Sequence, residues 1–337
     1  MDNIRLFVGL DYHQDSVQVC VLDQDGQVLM NAPCRNDCTH IVSRVSKLGI
    51  VQRVAIESCT GAADLAEQLV TGAGWSVDLA HPGYVSRMKQ NPDKTDYSDA
   101  RLLADLVRVG YLPRVWLAPP PIRALRQLVR YRQQLANERR TIKLRIGALL
   151  REQRVRFRLA RSWTKTWMAW LRGASELSAS VRWILDRHLH RLAGVQEELT
   201  AVETKLLECT SDDAVVRRLL SMPGVGPVTA WCLRAEIGRF DRFNTGKQLA
   251  RFCGLSPRNA SSGTREADAG LIRAANRDLR AILIQAGHRL ARHDERWAAL
   301  ALRMKKAGKP TNVIVAAVAN RWMRWMFHQM QPERIAA

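Results

Sequence analysis

The chain has 337 residues, 47% of them hydrophobic, which is enough for two or three domains with buried cores. This composition excludes a disordered chain, and no apolar run approaches the ~18 residues of a membrane span, so we expect no membrane partner. The 52 Lys and Arg residues outnumber the 32 Asp and Glu residues, giving a net charge of +20 that is typical of proteins with a polyanionic partner.

The N-terminal part of the chain predicts an α/β domain. Alternating apolar residues indicate strands over 4–10, 16–22 and 27–31, and the Asp-Gly turn between the last two favours an antiparallel meander. Further elements follow in alternation, namely helices near 37–48, 62–72 and 97–109 and strands at 53–57 and 76–80. This order predicts a mixed sheet with helices on both faces, and we assign it to residues 1–118.

A strongly basic segment follows three consecutive prolines. Residues 121–160 contain twelve basic residues and two glutamates, a net charge of +10. Apolar residues recur there every seven positions, which predicts a long helix with an apolar stripe and a cationic surface. We assign residues 119–175 to this basic helical extension, and its Arg139, Arg140 and Lys143 are candidates for binding nucleic acid.

A second long helix is predicted near 178–208. Its apolar residues are spaced by sevens, threes and fours, as in a coiled-coil seam, and we assign residues 176–210 to this segment. The seam has two interpretations that the spacing does not separate. In one interpretation the helix packs on the basic helix of the same chain as a helical hairpin. In the other it packs on a second copy of the chain in a dimer.

Residues 211–337 predict a compact all-α domain with helices near 246–253, 271–292 and 311–328. The stretch PGVG resembles a helix-hairpin-helix turn, in which backbone N–H groups approach a DNA phosphate, so Gly224 and Gly226 are candidates for DNA contact. Lys305 and Lys306 precede the final helix, where they fit either contact with a nucleic-acid backbone or a solvated loop.

Four acids occupy comparable positions in the N-terminal domain. Asp11 and Glu57 end strands, whereas Asp96 and Asp99 begin a helix and share one of its faces. Strand ends at one edge of a sheet converge, and four carboxylates that meet without a cation are strongly destabilising. A neighbouring arginine or two divalent ions about 3.5–4 Å apart would relieve the repulsion, and Mg²⁺ or Mn²⁺ suits oxygen ligands. Taken singly, each aspartate also fits a turn or a helix cap.

The seven cysteines are an odd number and are scattered, which indicates reduced thiols in a cytoplasmic protein. The N-terminus reads as a strand and lacks the layout of a signal peptide. Cys34, Cys38 and His40 have the residue types of half a zinc site, but no second pair follows at a suitable spacing. Incidental thiols in a loop are the alternative.

Together these motifs carry a family resemblance that extends over nearly the whole chain. The chain resembles the DEDD transposases of insertion sequences, which combine a ribonuclease H-like (RuvC-like) core with a separate C-terminal transposase module. The matching stretches are GLD at 9–11, AIES at 55–58, KTDYSDARLLA at 94–104, SMPGVGPVTA at 221–230 and FCGLSPRNASSGTR at 252–265.

The resemblance implies an RNA-guided recombinase. A non-coding guide (bridge) RNA would pair with donor and target DNA, and Asp11, Glu57, Asp96 and Asp99 would hold two Mg²⁺ ions. A serine that precedes a glycine would become covalently joined to the DNA, and that position is Ser262 here.

The register of this serine is open by one residue, because Ser261 lies next to it. A Ser-Ser-Gly stretch by itself is typical of a flexible turn. Arg258 and Arg265 flank the loop and fit either the scissile phosphate or a solvated surface. The resemblance also implies a bacterial protein that acts at the nucleoid as a dimer or tetramer.

Two other functions are compatible with the same residues. A Holliday-junction-type or structure-specific Mg²⁺-dependent endonuclease would use water as its nucleophile and the C-terminal domain for binding alone. A nucleic-acid-binding protein without enzymatic activity would use the acids structurally.

Overall fold

In the computed structural model, the chain divides into two units, Met1–Ala118 and Pro119–Ala337. The structure describes residues 4–89, 95–157, 159–174, 176–259, 268–272 and 275–332. Each unit is built around its own cluster of buried apolar side chains. None of the helices in these ranges combines the length and apolar character needed to cross a bilayer.

The N-terminal unit is built on a six-stranded mixed sheet. Its elements are β1 (Arg5–Tyr12), β2 (Ser16–Leu22), β3 (Val28–Arg35), α1 (Cys38–Val45), β4 (Ile50–Glu57), α2 (Ala62–Ala73), β5 (Val77–Ala80), α3 (Pro82–Val85), α4 (Asp96–Arg108) and β6 (Arg114–Val115). The strand order is β3-β2-β1-β4-β5-β6. β1 and β5 both run parallel to β4, and the other pairs are antiparallel. The predicted mixed sheet is therefore confirmed, with β6 as an additional edge strand too short to show alternation.

Alternation in the strands places helices on both faces of this sheet. Val17, Val19 and Val21 of β2 are fully buried in the cluster that includes residues of α1 and α2. Cys20 and Leu22 point the other way and pack with Ala100 and Ala104 of α4. The two faces of the sheet are therefore covered by different helices, with α1 and α2 on one face and α4 on the other.

The C-terminal unit is mostly helical. Its elements are α5 (Pro120–Glu152), α6 (Lys165–Gly173), α7 (Ala179–Thr210), α8 (Ala214–Leu220), α9 (Pro227–Ile237), α10 (Gly246–Phe252), β7 (Pro257–Asn259), β8 (Asp268–Leu271), α11 (Arg277–His293), α12 (Glu295–Lys306) and α13 (Thr311–Gln329). α5 and α7 pack along each other, and α13 packs on α10, α11 and α12. Trp322 and Met326 of α13 are fully buried in the core of the unit.

The prediction of an all-α C-terminal domain is wrong in one place. β7 and β8 pair as an antiparallel ribbon, with Pro257 opposite Leu271. The helix predicted from residue 271 begins at Arg277, because the Asn276 side chain caps it by accepting hydrogen bonds from the Asp278 and Leu279 backbone N–H groups. The glycines and serines around the ribbon obscure its short strands in the sequence.

The helix α12 was also not predicted. Asp294 begins it by accepting a hydrogen bond from the Trp297 backbone N–H at 3.2 Å. Lys305 and Lys306, for which a loop is one of the predicted settings, are the last two residues of this helix. Both are exposed, and their positive charges are favourable near the carbonyl end of the helix dipole.

Candidate functional site

Two of the predicted acids meet at one edge of the sheet. Leu10 of β1 pairs with Ile56 of β4 in parallel register, so the residues that follow, Asp11 and Glu57, are neighbours on adjacent strands. Alternate residues of a strand share a face, so Asp11 lies on the same face as Gly9, which contacts α4. Both carboxylates therefore point toward the layer that holds α4.

Helix α4 brings the other two acids to the same edge. Asp96 and Asp99 lie in its first turn, where the helix dipole favours negative charge. The Thr95 side chain caps this turn by accepting a hydrogen bond from the Ser98 backbone N–H at 3.2 Å. A Cβ atom on Gly9 would lie 2.0 Å from the Ala100 carbonyl oxygen, so only glycine lets the helix backbone approach β1 this closely.

Two basic side chains of the protein itself lie among these carboxylates. The His13 Nε2 is 3.6 Å from the Asp11 Oδ2 and 3.3 Å from the Asp96 Oδ2. The Lys89 Nζ donates to the Asp99 Oδ2 at 2.6 Å, and the Asp99 side chain is only 8% exposed. The sequence offers a neighbouring arginine or metal ions as the relief of this repulsion, and the basic side chains that the structure places against these carboxylates are a histidine and a lysine rather than an arginine.

The pKa of the Asp11 carboxyl depends on its burial and on the charged groups around it. Burial raises the pKa of the Asp11 carboxyl above its usual range, and the proximity of His13 lowers it. The negative charges of Asp96, Asp99 and Glu57 raise that pKa further. All four acids are therefore within electrostatic reach, and the site favours an added positive charge.

The donor set suits a divalent ion. Ligand atoms of Asp11, His13 and Asp96 all lie within 4.8 Å of one another. Carboxylate oxygens are ligands for Mg²⁺ and Mn²⁺, and an imidazole nitrogen is a ligand for transition metals. Glu57, on the neighbouring strand, and Asp99, in the same turn as Asp96, lie outside this close group and are the other two acids at this edge. Asp11, His13 and Asp96 are therefore the residues that would hold an ion here.

Two consecutive side-chain hydrogen bonds hold the first turn of α4 against the strands. The Gln18 Nε2 donates to the Asn31 Oδ1 at 2.7 Å, and the Asn31 Nδ2 donates to the Tyr97 carbonyl oxygen at 3.0 Å. Tyr97 lies between the two aspartates in sequence. The bonds from β2 and β3 therefore fix the turn that carries both acids.

The predicted nucleophile lies outside the described residues. Ser262, Ser261 and Arg265 all fall in the segment 260–267, which joins β7 to β8. Arg258 is exposed on β7. A groove of about 810 Å³ lies beside this ribbon in the C-terminal unit. The residues lining it include Pro257, Gly270, Ile284, His288, Arg321 and Arg324.

The PGVG stretch joins α8 to α9. Gly224 has a φ of +79°, and a Cβ atom there would lie 2.8 Å from the Leu290 Cδ2, so packing inside the unit already requires this glycine. Gly226 is the residue before α9, and a Cβ atom on it would meet nothing within 4 Å. Of the two glycines proposed for DNA contact, Gly226 is the one with open space around it.

The basic helix α5 uses part of its charge within the unit. The Arg126 Nε donates to the Ala235 carbonyl oxygen at 2.6 Å, and Arg132 pairs with Glu203 at 2.7 Å. Arg139 donates to the Gln196 Oε1 at 3.0 Å, and the Lys143 Nζ lies 4.8 Å from the centre of the Trp163 ring. Arg140 is exposed. The cationic surface is therefore smaller than the residue count of the segment indicates.

The cysteine and histidine group of the N-terminal unit is not gathered around a common point. The Cys34 Sγ accepts a hydrogen bond from the Arg44 Nη1 at 3.1 Å. Among the residues that the structure describes, the group of possible metal ligands is Asp11, His13 and Asp96, without Cys38 or His40. The zinc interpretation therefore has no support in the fold.

Two comparisons bear on the chain as a whole. Residues 8–154 match a family of DEDD transposases of the IS110 type, and this matched segment includes the four acids. Residues 216–303 match a family described as "Transposase IS116/IS110/IS902 family". The chain belongs to this transposase family. The predicted resemblance to DEDD transposases is confirmed at that level.

Individual relatives agree with the family. The chain is 25% identical to the transposase for insertion sequence element IS1328 of Yersinia enterocolitica, over 96% of each chain. It is 26% identical to the transposase for IS1111A of Coxiella burnetii, over 87% of this chain and 79% of that protein. It is 28% identical to y4qE of Sinorhizobium fredii over 65% of this chain, and the match spans about half of that relative, 53%.

Three residues of the site were not predicted from the sequence. His13 follows the last residue of β1, where strand alternation gives no further signal. Lys89 lies outside the stretch that carries Asp96 and Asp99, and its spacing from them matches no periodicity. Asn31 belongs to the predicted third strand, and only the pairing of β2 with β3 shows that it reaches α4.

Proposed function

We propose that this protein is an insertion-sequence transposase that cuts and exchanges DNA strands under the direction of a guide RNA. The observation that carries the proposal is the meeting of Asp11, Glu57, Asp96 and Asp99 at one sheet edge, in a chain of a transposase family. The whole activity, the substrates and the partners named below are part of this proposal.

The proposed reaction is a transesterification through serine. The Ser262 Oγ forms a bond to the phosphorus of the scissile phosphodiester, and the bond from phosphorus to the 3′ oxygen breaks. The strand leaves with a 3′-hydroxyl, and its former neighbour is held as a 5′-phosphoserine. A 3′-hydroxyl from the other DNA then attacks this phosphorus and releases the serine. The number of phosphodiester bonds is conserved, so the exchange needs no external energy source.

The acids support this reaction by holding divalent ions, Mg²⁺ or Mn²⁺. Such ions, when bound, polarise a phosphodiester and stabilise the charge that develops on its oxygens. Arg258 is exposed on the strand that enters the serine segment, and Arg265 belongs to that segment, so both are suited to the scissile phosphate.

The nucleic acids are proposed to bind by charge. Arg139, Arg140 and Lys143 on α5, and Lys305 and Lys306 on α12, are candidates for the backbones of the guide RNA and of donor and target DNA. Gly226 offers a backbone N–H in open space at the start of α9. We propose a dimer or tetramer, because two DNA molecules must be cut in one assembly.

A matched pair of serine variants tests the nucleophile. Full-length protein is incubated with the guide RNA, donor and target DNA and divalent ions, and the DNA that stays joined to protein in denaturant is measured. We expect an adduct with the unaltered protein and with Ser261→Ala, and none with Ser262→Ala. An adduct that persists in Ser262→Ala but not in Ser261→Ala would move the nucleophile by one residue.

The products separate this function from its alternatives. A water-using nuclease would release free 5′-phosphate ends with no adduct in any variant. A binding protein with structural acids would give no cleavage at all, and Asp99→Asn would alter its stability alone. Guide dependence is tested by changing the target-pairing segment of the RNA, which should move the insertion site to the newly complementary sequence.

A further inference from the structure

The acidic site already contains two basic side chains. His13 contacts one half of the site, Asp11 and Asp96, whereas Lys89 contacts the other half, Asp99. Each contact is shorter than 4 Å. The four acids are therefore not equivalent with respect to an incoming ion, since one half offers an imidazole and the other is paired with an ammonium group.

The position of His13 is held by its backbone. Its N–H donates to the Ser16 carbonyl oxygen at 2.9 Å in the turn between β1 and β2. Its own carbonyl oxygen accepts a hydrogen bond from the Asn36 Nδ2 at 3.0 Å. These two bonds fix the turn on both sides of the residue, so the imidazole is presented to Asp11 and Asp96 by a defined loop.

The spacing of the donor atoms fits a shared ion. Adjacent ligand atoms around a six-coordinate ion with bonds of about 2.1 Å lie about 3 Å apart. The His13 Nε2 lies 3.3 Å and 3.6 Å from the two carboxylate oxygens, and the ligand atoms of all three residues lie within 4.8 Å of one another, so a contraction of the group would bring them within bonding distance of one ion. An imidazole ligand favours transition metals such as Mn²⁺ over Mg²⁺, which prefers oxygen.

Lys89 occupies the place where a second ion would contact Asp99. Its ammonium group lies 2.6 Å from the Asp99 Oδ2, and only 8% of the Asp99 side chain is exposed. A second divalent ion would have to displace this ammonium from a largely buried oxygen. The lysine also supplies positive charge to that half of the site.

We propose that the site binds a single transition-metal ion through Asp11, His13 and Asp96, and that Lys89 replaces a second ion at Asp99. This proposal rests on the proposed function in taking the acidic site as the metal site of a transposase. It differs from the expectation of two Mg²⁺ ions in both the number and the kind of ion. It assigns His13 as a ligand and Lys89 as a positioning residue.

The first experiment detects the nitrogen ligand directly. Mn²⁺ is added to the full-length protein in the absence of nucleic acid, and electron spin echo envelope modulation is recorded with natural and ¹⁵N-histidine-labelled protein. We expect ¹⁴N modulation that changes to the ¹⁵N pattern on labelling, with one ion bound per chain. Bound Mn²⁺ without any nitrogen coupling would overturn the role of His13, and this result needs no variant.

Variants then identify the residue. His13→Ala should abolish the nitrogen coupling and weaken Mn²⁺ binding at least about tenfold. His40→Ala, which removes an exposed histidine of the same unit, should change neither. If His13 were only a counter-cation of the metal-free protein, His13→Ala would bind Mn²⁺ as tightly or more tightly, and the proposal would be wrong.

The role of Lys89 is tested by counting ions. Lys89→Met should raise the number of bound Mn²⁺ ions from one to two, whereas Lys47→Met, at an exposed lysine of the same unit, should leave one. Two ions in the unaltered protein, or one in Lys89→Met, would overturn the replacement of an ion by the lysine. Circular dichroism of each variant establishes that it is folded.

These measurements fail independently of the proposed function. Because they are made without DNA, an adduct at Ser262 combined with two oxygen-ligated ions would refute only the metal-site proposal. A single nitrogen-ligated ion in a protein that forms no adduct would instead refute the serine reaction and leave the site as proposed.

Discussion

Gly9 sets the distance between β1 and α4. A Cβ atom at this position would lie 2.0 Å from the Ala100 carbonyl oxygen and 2.4 Å from the Ala104 backbone nitrogen. Both are helix backbone atoms, which cannot rotate away as a side chain can. The first turn of α4 therefore reaches Asp11 only because position 9 has no side chain.

Replacing Gly9 should separate the acids without removing any of them. We expect Gly9→Ala to destabilise the N-terminal unit by at least about 2 kcal/mol, because α4 must move away from β1. Mn²⁺ binding should weaken in the same variant. Hydrogen exchange of peptides from β1 and α4, together with a Mn²⁺ titration, measures both effects.

Gly72 provides the matched control. It lies in α2, and a Cβ atom there would meet only the Cys38 Sγ at 3.9 Å. Gly72→Ala should stabilise the helix by about 0.5–1 kcal/mol and leave Mn²⁺ binding unchanged. Equal effects of the two substitutions would contradict a specific role for the close approach at Gly9.

At the scale of elements, α7 buries one side against the rest of its unit. Leu199 and Leu206 are at most 1% exposed and belong to the core that also contains Ile142 and Ile146 of α5. The heptad spacing of α7 is compatible with both a hairpin and a dimer seam, since both bury the same stripe. In the structure α7 packs along α5 of the same chain, so the two helices form the hairpin. Leu207 is left 56% exposed.

The adjacent residues Leu206 and Leu207 separate the two sides of this helix. Leu206→Ala should destabilise the C-terminal unit by about 2–5 kcal/mol, because it leaves a cavity in a closed core. Leu207→Ala should change the stability by less than about 0.5 kcal/mol. Thermal unfolding followed by tryptophan fluorescence measures both, since eight of the ten tryptophans lie in this unit. A large loss of stability in Leu207→Ala that depends on protein concentration would show that a second copy covers that face.

The limits of prediction are clearest at this scale. Strands β1 to β5, α4 and the long helices follow from periodicity, which is a local property of the chain. The ribbon of β7 and β8 does not, because each strand is stabilised by the other across the segment 260–267. Lys89 and His13 reach the acids by the same kind of long-range approach, so their positions in the site were not predictable.

At the scale of the whole molecule, the net charge of +20 is partly neutralised within the fold. On α5 alone, Arg132 is paired with Glu203 and is 14% exposed, whereas Arg140 is exposed. Charge that is paired internally releases no counterions when a nucleic acid binds. The total charge therefore overstates the number of phosphate contacts.

Salt dependence distinguishes these two arginines. Arg140→Ala should lower the slope of log K against log salt concentration for duplex DNA by about 0.9, the value for one lost phosphate contact. Arg132→Ala should leave that slope unchanged and destabilise the unit by about 1–3 kcal/mol, because it removes charge-assisted hydrogen bonds made by a largely buried side chain. Filter binding at several salt concentrations measures the slopes. A lower slope for Arg132→Ala, with an unchanged slope for Arg140→Ala, would show that Arg132 leaves Glu203 and contacts the nucleic acid.

The sequence by itself determined the order of the elements and the placement of four acids at strand ends and a helix start. These depend on side-chain periodicity and turn chemistry within short windows. The tertiary structure decided what accompanies the acids: Gly9 lets α4 approach, Asn31 holds its first turn, and His13 and Lys89 contact the carboxylates. These contacts join segments that are distant in sequence, and only the pairing of strands and the packing of α4 bring them together.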